Sequence, residues 1–435
     1  MLLMAWGWIV GFFIVVVWNY QQMHGVIIPG QQHADSSIHN NGENTNADKI
    51  RLRPAQSQFK ISDTARSSAS NSPNYKSPLL IFTCSRANYL QRTLEEIFKY
   101  LPSKDGNADS TPCQFGCPIV VSQDGDNQEV RRVIEHYKGK FQDQNIPLIH
   151  LQHPQNLRGK VSSPTSSYLA LAVHYGWALK KLFSGQASTD FPTPDRVIIL
   201  EEDIQIAPDF FDYFQATSEL LDQDPSLFAV SAFNDNGHLV KDPTRLLRSD
   251  FFPGLGWMMT RNLWKGELDQ KWPSGYWDDW LREPAQRKNR HVIRPEISRT
   301  YHFGNKGGAS NNQFGSILQR VRLNTERIYW KRMDLNYLHQ EEYNQKYGEG
   351  IKDAKEVATL TEALDVVKGG NVRLAYKNFQ DFQRLAKAIG IMDDEKAMVP
   401  RTSYLGVVET RPSEGNILFL VPPFEELRKN FPKSF

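Results

Sequence analysis

The chain is short of cysteine, of net charge and, at its start, of any charge at all. Three cysteines, Cys84, Cys113 and Cys117, in 435 residues exclude a disulfide-built scaffold, and the odd number leaves at least one thiol unpaired or paired between chains. Cys113 and Cys117 have no two further ligands beside them for a zinc site. A formal net charge of +2 gives no bulk electrostatic case for nucleic acid or for an acidic membrane surface as the main partner. No Asn-x-Ser/Thr sequon occurs. No charged side chain precedes Asp35, so the charge bias that sets membrane orientation is silent. There is no basic leader or small-x-small cleavage site of the kind that marks a removed signal peptide.

What is present first is an apolar run, Leu2 to Trp18, at the lower limit of length for a spanning helix. Residues 1–28 are therefore expected to form a short tail and membrane anchor. Residues 29–76, rich in Ser, Asn, Gln and Gly, cannot bury enough apolar area to offset the entropy of ordering, which predicts a flexible stem. The remaining length is enough for a large core and two domains, expected at 77–323 and 324–435.

From Ser77 short apolar runs alternate with helical spacing. "PLLIFTCSR", "CPIVVSQDG", "IPLIHL" and "RVIILEED" read as strands. The stretches Asn88 to Leu101, Asn127 to Tyr137 and Ser166 to Phe183 read as helices. Continuous apolar strands separated by helices predict an α/β fold with a largely parallel sheet covered on both faces. Ligands of such sheets bind at the carboxyl ends of the strands. Three of these ends carry Arg86, Asp124 and the cluster Glu201, Glu202 and Asp203 on one edge. Past residue 324 the alternation fades into a pattern that suggests a small α+β domain, with "NILFLVPP" as a late strand.

Three adjacent carboxylates repel one another unless a cation or hydrogen-bond donors hold them. Oxygen ligands favour Mg or Mn, with phosphates and water completing the shell, since no His or Cys stands nearby. Spacing alone equally allows an exposed acidic turn before a helix that starts near Pro208, with Asp209 in its first turn. "WDDW", Trp277 to Trp280, by itself fits an acidic surface turn between core aromatics. "PGLGW" lacks the strand, helix and Lys of a phosphate loop and is expected as a tight turn shaping a pocket. The segment Gly304 to Asn312 is a glycine-rich loop of the type that closes over donors. His174 lies in a helical apolar pattern, where a buried, satisfied histidine is the ordinary reading.

The segments "VIILEEDIQIAPDFFDYF", "FNDNG", "RSDFFPGLGWMM", "KWPSGYWDDWLREPAQRKNR", "RPEISRTYHFG" and "MDDEKAMVPRTSYLGVV" occur in the order found in the N-acetylglucosaminyltransferase I family, which this chain resembles from about Pro78 to Pro423. The resemblance implies a Golgi membrane protein of single-pass type II topology with a lumenal catalytic domain of the GT-A nucleotide-sugar class (a Rossmann-like mixed sheet). It implies transfer of GlcNAc from UDP-GlcNAc, with inversion and in β-1,2 linkage, to the α-1,3 mannose arm of a five-mannose, high-mannose N-glycan. By the same resemblance Asp203 is the metal ligand, holding Mn, and Asp278 the catalytic base. Arg86, Asp124, His174, Glu201, Glu202 and Ser310 are donor-binding, and Asp279 is structural.

This chain departs from the family at Glu202, where Asp is usual, and in "YLALAVH" (Tyr168 to His174), where Ala170 and Val173 replace basic residues. The Glu-Glu-Asp form also occurs in a sister branch that places GlcNAc on O-linked mannose, which is one alternative. A catalytically silent lectin-like relative is another, and a nucleotidyltransferase or metal hydrolase with paired carboxylates is the third.

Overall fold

The computed structural model describes residues 77–101, 118–144, 146–154, 164–188, 193–304, 315–413 and 415–435. The expected anchor and stem, Ser310 with most of its loop, Cys113 and Cys117 lie outside these residues. All of the described residues fall within one compact unit, Ser62–Phe435. No helix among them is long and apolar enough to cross a membrane.

The alternation from Ser77 folds as its apolar runs require. Strand β1 (Leu79–Thr83) is buried along its whole length, and so is β2 (Ile119–Asp124). With β3 (Leu148–His153) and β4 (Arg196–Glu201) they pair in parallel, in the order β3-β2-β1-β4. Their side chains alternate between two cores. Leu79 and Ile81 pack with helices α1 (Ala87–Tyr100) and α2 (Gln128–Asp143) on one face. Leu80 and Phe82 pack with α3 (Pro164–Phe183) on the other. Covering both faces is what lets a strand be apolar throughout instead of every second residue. Asn127 accepts a hydrogen bond from the Val130 N–H and caps α2, as its side chain predicts.

The second half of the sheet breaks the parallel pattern. After the short β5 (Ile204–Ile206) and α4 (Phe210–Gln223) come β6 (Leu227–Ser231), β7 (Leu246–Ser249) and β8 (Trp257–Thr260), then the six-residue α5 (Trp277–Arg282) and β9 (His291–Pro295). Strand β8 runs antiparallel to both β4 and β6, and β7 antiparallel to β9, completing an eight-stranded mixed sheet. A two-stranded ribbon of β5 with β10 (Thr300–His302) lies just past the acidic strand end, with His302 opposite Ile204.

The reading of the Glu201 to Asp203 cluster as an exposed acidic turn is corrected by the fold, since Glu202 and Asp203 are buried, while the helix expected near Pro208 starts at Phe210. Asp209 is fully buried, and its carboxylate accepts from Arg299 Nε at 3.1 Å, Asn324 Nδ2 at 2.9 Å and Trp330 Nε1 at 2.8 Å. It precedes α4 without capping it by its side chain. A buried carboxylate with one arginine and two neutral donors is tied to distant segments, and sequence spacing does not reveal that.

Near the C-terminus β11 (Lys355–Val357), β12 (Val372–Ala375), β15 (Val408–Thr410) and β16 (Leu418–Val421) make a separate four-stranded sheet. Helix Phe379–Ile389 lies against it in a core of its own. Trp330, Tyr343, Tyr404 and Phe431 instead pack into the core of the large sheet. A small hairpin, β13 (Glu395–Lys396) with β14 (Val399–Pro400), precedes β15.

Candidate active site

Strands β1 and β4 are in register, with Phe82 beside Glu201, so the acidic cluster starts where β1 ends. Arg86, immediately before α1, spends its side chain on that cluster and not on a helix cap. Its Nε lies 2.6 Å from Glu202 Oε1 and its Nη2 2.8 Å from Asp203 Oδ2. Glu202 is buried, and its other oxygen accepts from the Thr83 hydroxyl and, at 3.0 Å, from the Cys84 N–H. The Thr93 hydroxyl donates to the carbonyls of Glu202 and Ile204, fixing the turn between them.

Asp203 is 3% exposed. His302 Nε2 approaches its Oδ2 at 3.4 Å. Burial pushes the Asp203 carboxyl up, but His302 and Arg86 outweigh burial and hold it below the usual carboxylate range. Burial lowers the His302 imidazole, and Asp203 and Glu201 more than reverse that. The other oxygen, Asp203 Oδ1, is buried and has no hydrogen-bond partner. A Cβ at position 304 would come within 2.2 Å of Asp203 Oδ2, so Gly304 is what lets the chain pass this carboxylate.

This donor set suits a hard divalent ion. One unpartnered carboxylate oxygen fits an ion that draws its other ligands from a substrate diphosphate and water. Among the described residues no group of three or more His, Cys, Asp or Glu is arranged to hold a metal.

Glu201 is carried by aromatic rings. Phe82 stacks on Tyr175 at 3.7 Å and 6°, Tyr175 on Trp277 at 4.4 Å, and Trp277 on Trp257 at 5.8 Å. The Tyr175 hydroxyl donates to Glu201 Oε1 at 3.0 Å. Burial and the Asp203 charge push the Glu201 carboxyl up to about 7, against the Tyr175 hydrogen bond and Arg86. The same stack seats α5, whose second residue is Asp278. Arg282 Nη1 donates to Asp278 Oδ2 at 3.0 Å and to Asp279 Oδ1 at 2.7 Å, and Lys396 Nζ lies 2.8 Å from Asp279 Oδ2.

These groups meet in one cleft of about 180 Å³. Arg86, Glu201, Asp203 and His302 line it from the strand ends, Tyr168 and Leu171 from α3, and Trp277, Asp278 and Arg282 from α5. The turn Pro253-Gly254-Leu255 also lines it. The chain there runs through left-handed backbone at Gly254 (φ 73°), Leu255 (45°) and Gly256 (97°). At Gly256 a Cβ would meet Thr300 Cγ2 at 2.6 Å.

Four of the residues singled out in the sequence, Arg86, Glu201, Asp203 and Asp278, thus share the cleft. Glu202 is turned into the protein beneath Arg86. Asp124 lies at the end of β2, buried, with its Oδ1 2.7 Å from His153 Nδ1. His174 lies 2.7 Å by its Nε2 from Ser122 Oγ and stacks on His153 at 5.3 Å. Neither lines the cleft. Sequence reasoning missed Tyr175, Arg282 and His302. Tyr175 is the residue after His174 in a pattern read only as apolar, and Arg282 follows Asp278 by one helical turn, the spacing of a pair. His302 carries no local signal.

The GNT-I family matches residues 22–431 of the chain. An Arabidopsis thaliana protein named alpha-1,3-mannosyl-glycoprotein 2-beta-N-acetylglucosaminyltransferase is 39% identical over 349 residues, spanning 79% of this chain and 73% of its own. Among solved structures, a mannosyltransferase from Pyrobaculum calidifontis in complex with GDP-Man and Mn2+ superposes with a TM-score of 0.32 at 14% identity, over 52% of this chain and 59% of its own. Mouse xyloside xylosyltransferase 1, apo form, gives 0.25 at 10% identity, over 60% and 91%. Superpositions this loose carry no argument.

Proposed function

The chain belongs to the GNT-I family, it transfers N-acetylglucosamine to the α-1,3 mannose arm of N-glycans, and we propose that it does so by one inverting displacement between Asp203 and Asp278. The donor is UDP-GlcNAc, the acceptor a five-mannose N-glycan, and the catalytic fold of the GT-A class. The observation that carries the reading is that Asp278, far along the chain from Glu201 and Asp203, lines the same cleft as they do.

An α-linked donor giving a β-linked product requires attack on the face opposite the leaving diphosphate. Asp278 is the base on that face. Its carboxylate is one-third exposed, open to an incoming hydroxyl, and Arg282 fixes its Oδ2. No donor among the described residues reaches Oδ1, which is left to accept the hydroxyl proton. A positioned carboxylate of this kind turns a poor nucleophile into a competent one. Arg86, charged and held by two carboxylates, keeps Asp203 ionised beside the diphosphate. Asp203 Oδ1 would hold a divalent ion, Mn by the family resemblance, and that ion supplies neutralisation of the charge that develops on UDP. Glu201, fixed by Tyr175, faces the donor sugar. The apolar segment Leu2 to Trp18 supports a membrane anchor, and the family resemblance supports placing it in the Golgi with the catalytic part lumenal.

The test is transfer by the purified full chain with UDP-GlcNAc and Mn, comparing a five-mannose N-glycan with an O-mannosyl peptide. Transfer to the N-glycan that falls at least about 1,000-fold in Asp278→Asn, with UDP still bound, is the expected result. Transfer to the O-mannosyl peptide alone, or an Asp278→Asn variant of full activity, overturns the assignment.

A further inference from the structure

Resting on that reading of Asp278, we infer that Lys396, more than 100 residues downstream, is a positioning residue for the base and acts through Asp279 and Arg282. Asp278 and Asp279 are consecutive on α5 and both take their hydrogen bond from one nitrogen, Arg282 Nη1, at 3.0 and 2.7 Å. Nε of the same guanidinium donates to the Phe252 carbonyl at 2.9 Å and its plane lies over the Phe251 ring at 4.7 Å. With the group anchored at those points, a shift of Nη1 towards Asp279 lengthens its bond to Asp278.

Asp279 is the competitor for that nitrogen, and Lys396 Nζ, 2.8 Å from its Oδ2, occupies its other oxygen. Burial raises the Asp279 carboxyl, and Lys396 together with Arg282 brings it below the usual range. Asp279 itself does not line the cleft, whereas Asp278 does. Its negative charge has no substrate to meet. Compensated by Lys396, it leaves Arg282 to hold Asp278.

The chain spends conformational strain to deliver Lys396. The two-residue turn of the β13–β14 hairpin is Ala397 (φ 51°) and Met398 (φ 64°), the left-handed pair that a tight hairpin turn demands and that Asn and Gly supply more easily. Met392 and Arg401, on either side of the hairpin, line the cleft, so the tie from Lys396 to α5 also joins two of its walls.

The charged and titratable groups around Asp278 are Asp279 and Arg282 on α5, Tyr168 and Tyr175 on α3, Tyr276 before α5, Glu201 on β4, and Asp394 and Arg401 flanking the hairpin. None of these changes in the single variants that isolate Lys396.

Four chains carry the test: parent, Lys396→Met, Lys396→Arg, and Lys396→Met combined with Asp279→Asn, each assayed for kcat and donor KM. In Lys396→Met kcat falls about tenfold with donor KM unchanged, as Asp278 loses its share of Arg282. Lys396→Arg restores most of the rate. The double variant recovers at least about threefold over Lys396→Met, because an uncharged amide at position 279 no longer draws Arg282 away. A Lys396→Met enzyme with parental kcat, or a double variant no better than Lys396→Met, overturns the inference. A parent chain that transfers no GlcNAc overturns the functional reading instead, so the two failures are distinct.

Discussion

Two acidic pairs, each with one member lining the cleft, stand under opposite conditions. Glu202 and Asp203 are 2% and 3% exposed and share the fork of one arginine, while the Asp278 and Asp279 carboxylates are 33% and 37% exposed on a short helix. The first pair sits where charge interactions are strong and reorganisation is small, which suits a fixed site for a diphosphate and its counter-ion. The second stays partly wet, as a group that takes a proton and returns it to solvent must. On the proposed roles, one site holds charge and the other exchanges it.

The largest expected effect comes from stripping the buried pair of its cation. Arg86→Ala leaves two desolvated carboxylates facing each other with only His302 nearby, and removing one partner of a buried ion pair costs on the order of 3–5 kcal/mol. UDP-GlcNAc affinity by calorimetry and transfer rate should both collapse, the rate by at least about 1,000-fold. An Arg86→Ala enzyme within about tenfold of parent would mean that the strand-end carboxylates need no fixed cation.

Glu296 separates burial from shortage of cations. It is 3% exposed yet receives Arg411 at 2.7 and 3.0 Å, Arg245 at 3.2 Å and the Lys241 and Asp242 N–H groups. Burial pushes its carboxyl up, but Arg411 and Arg245 win and bring it to about 2, from an unfolded value of 4.5. A folded-state value below the unfolded one gives stability that is full above about pH 4.5 and lost as pH falls towards 2. At about 1.4 kcal/mol per pH unit, the 2.5-unit difference amounts to roughly 3 kcal/mol. Denaturation curves of Glu296→Gln across that range should lose the corresponding slope, and an unchanged slope would remove Glu296 from the account of acid stability.

The smallest effect is expected at the junction of the two sites. Tyr175→Phe keeps the ring in its stack and removes only the hydrogen bond to Glu201, worth about 1.5–3 kcal/mol for a charged acceptor. Transfer should fall about tenfold with melting temperature within a few degrees of parent. A loss as large as that of Arg86→Ala would show that Glu201 contributes more than a sugar contact.

The strand-end pair was legible because a continuous apolar run followed by charge is a local pattern. Leu79–Thr83 and Arg196–Glu201 emerge as strands within a residue or two of their apolar segments. The exchange site was not legible from spacing. Asp278 looks like one acidic residue in a surface turn until Trp277 is found stacked on Tyr175, about a hundred residues earlier, and "WDDW" was singled out through family resemblance. At Asp209 the local pattern gives the helix start correctly, but its burial against Arg299, Asn324 and Trp330 comes from distant segments that spacing does not show. The antiparallel β8 was equally hidden, since four residues of "WMMT" state burial but not direction.

The column of rings from Phe82 through Tyr175 and Trp277 to Trp257 acts as a gauge block. On the proposed roles, the gap between the sugar-facing carboxylate and the base is set by the thickness of stacked rings and not by the length of chain between residues 201 and 278. Loops in that interval that stay clear of the cleft can change length without altering that reach. Exchanging Phe82, Tyr175 or Trp257, none of which lines the cleft, for a smaller side chain would change the cleft's calibre from behind.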